Sequence, residues 1–143
     1  MSHISDALQL LMKQHEELDD LLERVSSNDV SCFRELADKL TTHLAIEQEL
    51  LYPAVKSWVS REVMAELINE HIAIKRVLAE LVWMGPDDDQ FMGKLADLAM
   101  LMSGHVAWQE DELYTRATET MSEPDLDALC DLLQSFDEIA AAA

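Results

Sequence analysis

Apolar residues recur at intervals of three and four in four successive stretches of the chain, which predicts four amphipathic helices. These helices should cover about residues 5–25, 31–57, 60–83 and 88–120. A shorter apolar stripe predicts a fifth helix over about residues 124–139. Glycine and proline occur only three times each, which favours helix over strand throughout. The pattern therefore predicts an all-α protein.

Short polar segments separate the predicted helices. Ser60 is suited to cap the third helix, and Gly85-Pro86 ends it. Pro53 lies near the end of the second helix and should kink or loosen its last turn. Long helices joined by short loops pack antiparallel, so we expect an up-down-up-down four-helix bundle over about residues 5–120, with a short additional C-terminal helix. The whole chain, residues 1–143, is predicted to form a single domain.

One histidine interrupts the apolar stripe of each of the four long helices. These histidines are His15, His43, His71 and His105. Glu47 follows His43 by four residues, so both side chains project from the same stripe. Counted along antiparallel helices, the four histidines have heights that agree within about 7 Å. A lone histidine on an apolar face is more often a hydrogen-bonded core residue, but four in one layer beside a glutamate predict a metal site.

The types of side chain in this layer limit which metal it could hold. A buried carboxylate without a partner costs several kcal/mol, so Glu47 should be paired or bound to a metal. Imidazole and carboxylate ligands suit iron, zinc, copper or manganese, whereas a structural zinc site would usually include cysteine. Several histidines and a bridging carboxylate inside a helical bundle are typical of a non-haem di-iron centre. Glu47 is the residue expected to bridge the two ions.

The charge of the chain excludes some partners. The formal net charge is −19, and a surface this acidic is a poor partner for nucleic acid, because phosphate binding needs lysine and arginine. No apolar run reaches transmembrane length, and no apolar segment follows a basic N-terminus. Cys32 and Cys130 lie far apart and form no paired motif. We expect a soluble, cytoplasmic protein without a membrane partner.

The histidines and their flanking residues resemble the hemerythrin-like HHE cation-binding domain family over about residues 5–120. The resemblance is carried by His15, by His43-x-x-x-Glu47 followed by Leu51-Tyr52-Pro53, by Glu70-His71, and by His105 in the segment His-Val-Ala-Trp-Gln-Glu-Asp-Glu-Leu-Tyr. It implies a four-helix bundle that holds two non-haem iron ions in an Fe–O–Fe type centre. Members of the family are linked to oxygen carriage or sensing, to nitric oxide or peroxide response, and to iron handling.

The fourth helix departs from the family pattern at the second carboxylate. The family usually has His-x-x-x-Glu here, and this chain has Gln109 in place of the glutamate. Glu110 follows at the His-x-x-x-x-Asp spacing of oxygen-carrying hemerythrins, so the resemblance favours Glu110 as a metal ligand. Glu110 lies about 140° around an ideal helix from His105, which requires a long reach or a distorted helix. Gln109 is the alternative ligand, and a solvated acidic face of Glu110, Asp111 and Glu112 is the alternative interpretation.

A second departure is Lys75, which stands one turn after His71 where oxygen carriers have another histidine. Fewer nitrogen ligands leave either open metal positions or a weaker site. The function expected is therefore a di-iron protein that binds or senses O2, NO or peroxide, or that handles iron, and the question of enzymatic turnover stays open. The alternative is a metal-poor bundle that serves as a structural or partner-binding module. A protein partner could bind through the C-terminal helix.

Overall fold

The computed structural model describes the backbone of residues 4–142 and the side chains of residues 4–136. The helices are α1 (Asp6–Ser26), α2 (residues 33–55), α3 (Arg61–Met84), α4 (residues 91–120) and α5 (Glu123–Ala142). A 3₁₀ turn, Val30–Cys32, leads into α2. No strand occurs within residues 4–142, so the predicted all-α bundle with an additional C-terminal helix is confirmed. His3, to which the sequence assigns no role, lies outside the described residues.

Helices α2 and α4 each contain one turn of π-helix. In α2 an α-helix, Phe33–Ile46, leads into the π-helical turn Glu47–Leu51 and then into the α-helix Tyr52–Val55. In α4 the corresponding segments are Phe91–Trp108, Gln109–Leu113 and Tyr114–Thr120. The sequence predicted a loosened last turn at Pro53, but the departure from α-helix begins earlier. Because α4 has the same turn with no proline after it, proline cannot be the shared cause.

The helix ends differ from the predicted ones by a few residues. Gly85 ends α3 with a φ of 78°, and its N–H donates to the carbonyl of Leu81. The fourth helix begins at Phe91, later than expected, because residues 85–90 form the connecting turn. Ser60 caps α3 as predicted, since its hydroxyl accepts the N–H of Val63 at 3.2 Å. Helix α5 extends beyond its predicted bounds.

Two apolar clusters fill the bundle, one towards each end. The first contains Leu18, Leu22, Leu36, Leu40, Ile74, Leu81, Phe91 and Leu98 among others. The second contains Leu8, Leu11, Leu51, Leu67, Leu113, Leu129 and Leu133 among others. On α1, α3 and α4 the seam histidine lies between the buried residues of the first cluster and those of the second, and on α2 the change falls just after His43, between Leu44 and Ile46. This order requires neighbouring helices to run antiparallel, and it places a polar layer between two apolar ones.

Helix α5 closes one end of the bundle. Its residues Leu129 and Leu133 are buried in the second apolar cluster, and the helix packs against α1 and α2.

Within residues 4–142, none of the helices is both long and apolar enough to span a membrane. Cys32 and Cys130 are half-buried free thiols.

Candidate metal centre

The four seam histidines meet in one buried layer with Glu47 and Gln109. Each of these six residues is at most 4% exposed, and Glu47 and Gln109 have no exposed surface. The sequence placed His15, His43, His71 and His105 at similar heights along the bundle, and the structure brings them together. Six polar side chains in an apolar core need partners, because burial without them is costly.

Glu47 belongs to two groups of potential metal ligands. In the first group, one ligand atom from each of His15, His43 and Glu47 lies within 4.8 Å of the others. In the second group, the same holds for Glu47, His71 and His105. A carboxylate shared by two three-residue groups has the placement that a bridge between two metal ions needs.

The two oxygens of Glu47 face different histidines. Oε1 lies 2.6 Å from Nε2 of His43 and 3.8 Å from Nε2 of His71, whereas Oε2 lies 3.4 Å from Nε2 of His105. The short contact between Glu47 and His43 does not have hydrogen-bond geometry, since both atoms lack a hydrogen-bond partner among the described residues. The lone pairs of the two atoms therefore converge on a shared space, as the ligands of one cation do.

Several further atoms of the layer also lack hydrogen-bond partners. Within the side chains that the structure describes, they are Nε2 of His15, Nδ1 of His71, Nε2 of His105, Oε1 of Gln109 and the hydroxyl oxygen of Tyr114. Buried polar atoms are nearly always satisfied, so a concentration of unsatisfied ones calls for an explanation. Imidazole nitrogens and carboxylate or amide oxygens are suitable ligands for iron and similar transition metals. The residues present therefore fit a metal centre.

Three histidines form a hydrogen bond to a polar side chain of a neighbouring helix through Nδ1, which we call the outer nitrogen. Nδ1 of His15 lies 2.7 Å from the Glu110 carboxylate. Nδ1 of His43 lies 2.8 Å from Oε1 of Gln14. In each pair the ring N–H donates to the oxygen, which fixes the tautomer and leaves Nε2 free as a metal ligand.

The third outer pair joins His105 to Glu70, with 3.2 Å between Nδ1 and Oε1. Neither Gln14 nor Glu70 was singled out for this role from the sequence. Each of them immediately precedes a seam histidine, of α1 and α3 respectively, but serves the histidine of another helix. The sequence signal that could have identified Gln14 and Glu70 is their position directly before the seam histidines of α1 and α3.

The structure distinguishes between Gln109 and Glu110, the two candidate ligands on the fourth helix. Gln109 is fully buried in the layer, and its Nε2 donates to Oε2 of Glu47. The Glu110 side chain is 28% exposed and contacts the outer nitrogen of His15. The helix does distort at this point, as a Glu110 ligand would require, but the distortion does not carry Glu110 into the layer. Asp111 and Glu112 are exposed.

The π-helical turns place equivalent residues on opposite sides of the layer. Glu47 and Gln109 lie 62 residues apart and begin the two turns. Tyr52 and Tyr114 come directly after them, and each tyrosine N–H donates to the carbonyl of the residue that begins its turn. The α1–α2 and α3–α4 halves therefore form an internal repeat, in which Gln109 stands where the other half has Glu47.

The two tyrosines differ in what their hydroxyls contact. The Tyr52 hydroxyl lies 2.9 Å from Nε2 of His71, and it accepts from Nε2 of Gln109 at 3.2 Å. The Tyr114 ring stacks on His15 with 6.0 Å between ring centroids, and its hydroxyl has no hydrogen-bond partner among the described side chains. Both tyrosines are buried. Tyr52 thus contacts His71, and Tyr114 contacts His15.

His71 is the histidine whose outer nitrogen is not held. No described residue bonds its Nδ1, although the side chain is 2% exposed. Gln48 is the counterpart of Glu110 in the repeat, but its Oε1 accepts from Nζ of Lys75 at 3.0 Å instead. Lys75, noted in the sequence as a departure from the family pattern, thus donates to Gln48, the residue that could otherwise have accepted a hydrogen bond from Nδ1 of His71.

Electrostatics keep His15, His71 and Glu47 in the protonation states that bind metal ions. Burial lowers the pKa of His71 to about 4, and burial with the neighbouring His43 lowers the pKa of His15. Burial alone would raise the pKa of Glu47, but His43 and His105 bring it well below its usual value. At neutral pH His15 and His71 are therefore uncharged while Glu47 is a carboxylate, as metal coordination requires.

Comparison with known protein families matches residues 6–117 to the family described as Hemerythrin HHE cation binding domain. A curated protein of Nostoc sp. (strain PCC 7120), named DNA nickase, is 29% identical to the chain over 90 residues. The match covers 63% of the chain and 26% of the nickase, so the chain spans about a quarter of that relative's length. Comparison with solved structures gave no significant match.

Proposed function

This chain belongs to the hemerythrin HHE cation-binding family, and on that premise we propose that it is a non-haem di-iron protein that binds or senses O2, NO or peroxide. The observation that carries the proposal is the position of Glu47, whose carboxylate is shared by two buried groups of histidines. Paired iron ions would supply reversible electron transfer to a small ligand. The chain's own side chains would bind the ions and orient the ligands around them.

The proposed ligands of one ion are His15, His43 and Glu47. Those of the other are Glu47, His71 and His105, which together form the second buried group. Gln109 is proposed as a weak ligand through its free Oε1, in preference to Glu110, because Gln109 is the one inside the layer. So few protein ligands would leave coordination positions open on both ions, and a small ligand could bind there.

Glu110, Gln14 and Glu70 act as positioning residues in this account. Each accepts a hydrogen bond from the outer nitrogen of one histidine, which orients the ring and raises its basicity as a ligand. The two apolar clusters exclude water from both sides of the layer. A dry site strengthens the charge interactions of the bound ions and limits side reactions of a bound ligand.

The test is the iron content of the protein after reconstitution with Fe(II) and air oxidation. Wild type should hold about two irons per chain and absorb in the near ultraviolet by charge transfer. Glu47→Gln should lose at least one iron, because it removes the shared carboxylate. Glu49→Gln is the matched control, since Glu49 is exposed and two residues away. Iron-free wild type after reconstitution would contradict the proposal and favour the metal-poor, partner-binding bundle.

Whether the centre turns over a substrate is decided by the same preparation. Catalytic decomposition of peroxide, reduction of NO or continued oxidation of Fe(II) would assign an enzyme, whereas stoichiometric reaction would assign a carrier or sensor. The nickase name belongs to a longer relative, of which the match covers only 26%, and we do not extend it to this chain. A net charge of −19 disfavours contact with nucleic-acid phosphates.

A further inference from the structure

A groove of about 680 Å³ runs along the surface between α1 and α4 and reaches the polar layer. His15 and Glu110 line one end of it, and Glu23 and Ser26 line the other. It exists because α4 presents small side chains towards α1, namely Ala99, Ser103 and Ala107, at successive intervals of four residues. Small residues on one helix leave space between it and its neighbour.

The charged side chains that line the groove are all acidic. Glu16, Asp19, Glu23 and Glu110 line it, and the described lining residues include neither lysine nor arginine. Its remaining walls are largely apolar, which strengthens the field of the carboxylates. In a chain of net charge −19, this groove concentrates negative potential along a path instead of spreading it over a face.

His15 connects the groove to the buried layer. It lines the groove, yet it is 4% exposed and belongs to the first group of potential metal ligands with His43 and Glu47. Its Nδ1 contacts the groove carboxylate Glu110, and its Nε2 has no hydrogen-bond partner within the described part of the chain. A cation that travelled along the groove would meet Glu110 and then an imidazole with a free lone pair.

We propose that this groove is the route by which a hydrated divalent metal ion enters the centre. The inference rests on the proposed function, because it needs a centre that binds metal. Glu16, Asp19 and Glu23 attract the ion and hold it transiently, and Glu110 passes it to His15. Small neutral ligands gain nothing from such charges, so the acidic lining favours a cation as the occupant.

The experiment measures the rate of Co(II) uptake by the metal-free protein in stopped flow, from the visible absorbance of bound Co(II). The groove variant is Glu16→Gln with Asp19→Asn and Glu23→Gln. The control variant is Glu35→Gln with Asp38→Asn and Glu119→Gln, which removes the same three charges from other exposed positions. We expect uptake to slow by about tenfold in the groove variant and less than twofold in the control. Both should bind the same final number of ions as wild type.

Ser103→Phe tests the route without changing charge, since Ser103 is exposed and lines the groove. It should slow Co(II) uptake as well. Equal slowing of the two charge variants would contradict the proposal, because only the overall field would then matter. So would slowed azide binding with unchanged Co(II) uptake in Ser103→Phe, which would make the groove a path for small anions.

The failure of this inference can be distinguished from the failure of the proposed function. If wild type binds neither Co(II) nor Fe(II), the metal centre itself is wrong. If wild type and the groove variant fill at the same rate and to the same extent, only the route is wrong. A smaller final number of ions in the groove variant would make these carboxylates ligands, which also contradicts a role in entry alone.

Discussion

Gln109 donates a hydrogen bond to the carboxylate of Glu47 across the centre of the bundle, from the equivalent position in the other half of the internal repeat. One half of the repeat therefore supplies a negative charge to the layer, and the other supplies an amide. An amide offers a weaker oxygen ligand than a carboxylate, so this pair sets the charge that a metal ion in the layer would meet.

Gln109→Glu should strengthen metal binding and weaken the metal-free protein. A second carboxylate beside Glu47 would add a charged ligand, but without metal it would place two like charges in contact in a dry core. We expect slower loss of iron to a chelator, by about tenfold, and a lower melting temperature of the metal-free form. Gln134→Glu, an exposed change of the same kind, should alter neither. Faster iron loss in Gln109→Glu would contradict the assignment of Gln109 to the centre.

Glu110→Gln distinguishes a positioning residue from a ligand. If Glu110 holds His15 by its outer nitrogen, the variant should keep two irons per chain but bind one of them about 10- to 100-fold more weakly. Chelator competition measures this affinity. Glu112→Gln is the control, because Glu112 is exposed and close in sequence. Complete loss of one iron in Glu110→Gln would instead make Glu110 a ligand, as the sequence had favoured.

Tyr52 and Tyr114 provide a matched pair for the stability of the metal-free protein. Tyr52→Phe removes hydrogen bonds to His71 and Gln109, and it should cost about 1–3 kcal/mol because buried partners are left unsatisfied. Tyr114→Phe removes a hydroxyl that has no partner among the described residues, so its effect should be smaller or stabilising. Urea unfolding of both variants measures the difference. Equal losses would show that the two hydroxyls have similar surroundings.

Stability of the metal-free protein should fall on acidification from about pH 6.5 to pH 4. Burial lowers the pKa of His71 from 6.5 to about 4 in the folded state, so over this range the unfolded chain binds the proton more readily. The stabilisation from His71 is thus complete above pH 6.5 and is lost as the pH falls. His105 acts in the opposite sense, since Glu47 and Glu70 raise its pKa despite burial.

His71→Gln isolates this contribution. The free energy of unfolding, measured in urea at several pH values, should depend less steeply on pH in His71→Gln than in wild type between pH 4 and 6.5. Parallel pH profiles would mean that His71 titrates normally in the folded chain.

The helices and the polar layer could be predicted because both depend on periodicity within one segment. Each seam histidine interrupts an otherwise apolar stripe, and short loops fix antiparallel neighbours, so the heights of His15 and His71 follow from counting residues. The position of Glu47 follows from its four-residue spacing to His43 in the same way.

The outer partners and the choice between Gln109 and Glu110 depend on information that one helix does not contain. Gln14 and Glu70 serve histidines on other helices, so their roles require the packing. The prediction for Glu110 rested on the spacing of the family pattern and required a long reach or a distorted helix. The helix does become π-helical from Gln109, but it is Gln109 that lies in the layer. Proline does not mark these turns, since it follows only one of the two.

The most direct test of the central claim is whether Glu47 couples two iron ions in one chain. A Mössbauer spectrum of protein reconstituted with ⁵⁷Fe and oxidised in air, recorded in an applied field, reports both ions and their magnetic coupling. We expect about two ferric ions per chain in equal amounts, coupled to a diamagnetic ground state, with the coupling lost in Glu47→Gln. Isolated paramagnetic ferric ions in wild type, or one ion per chain, would contradict it.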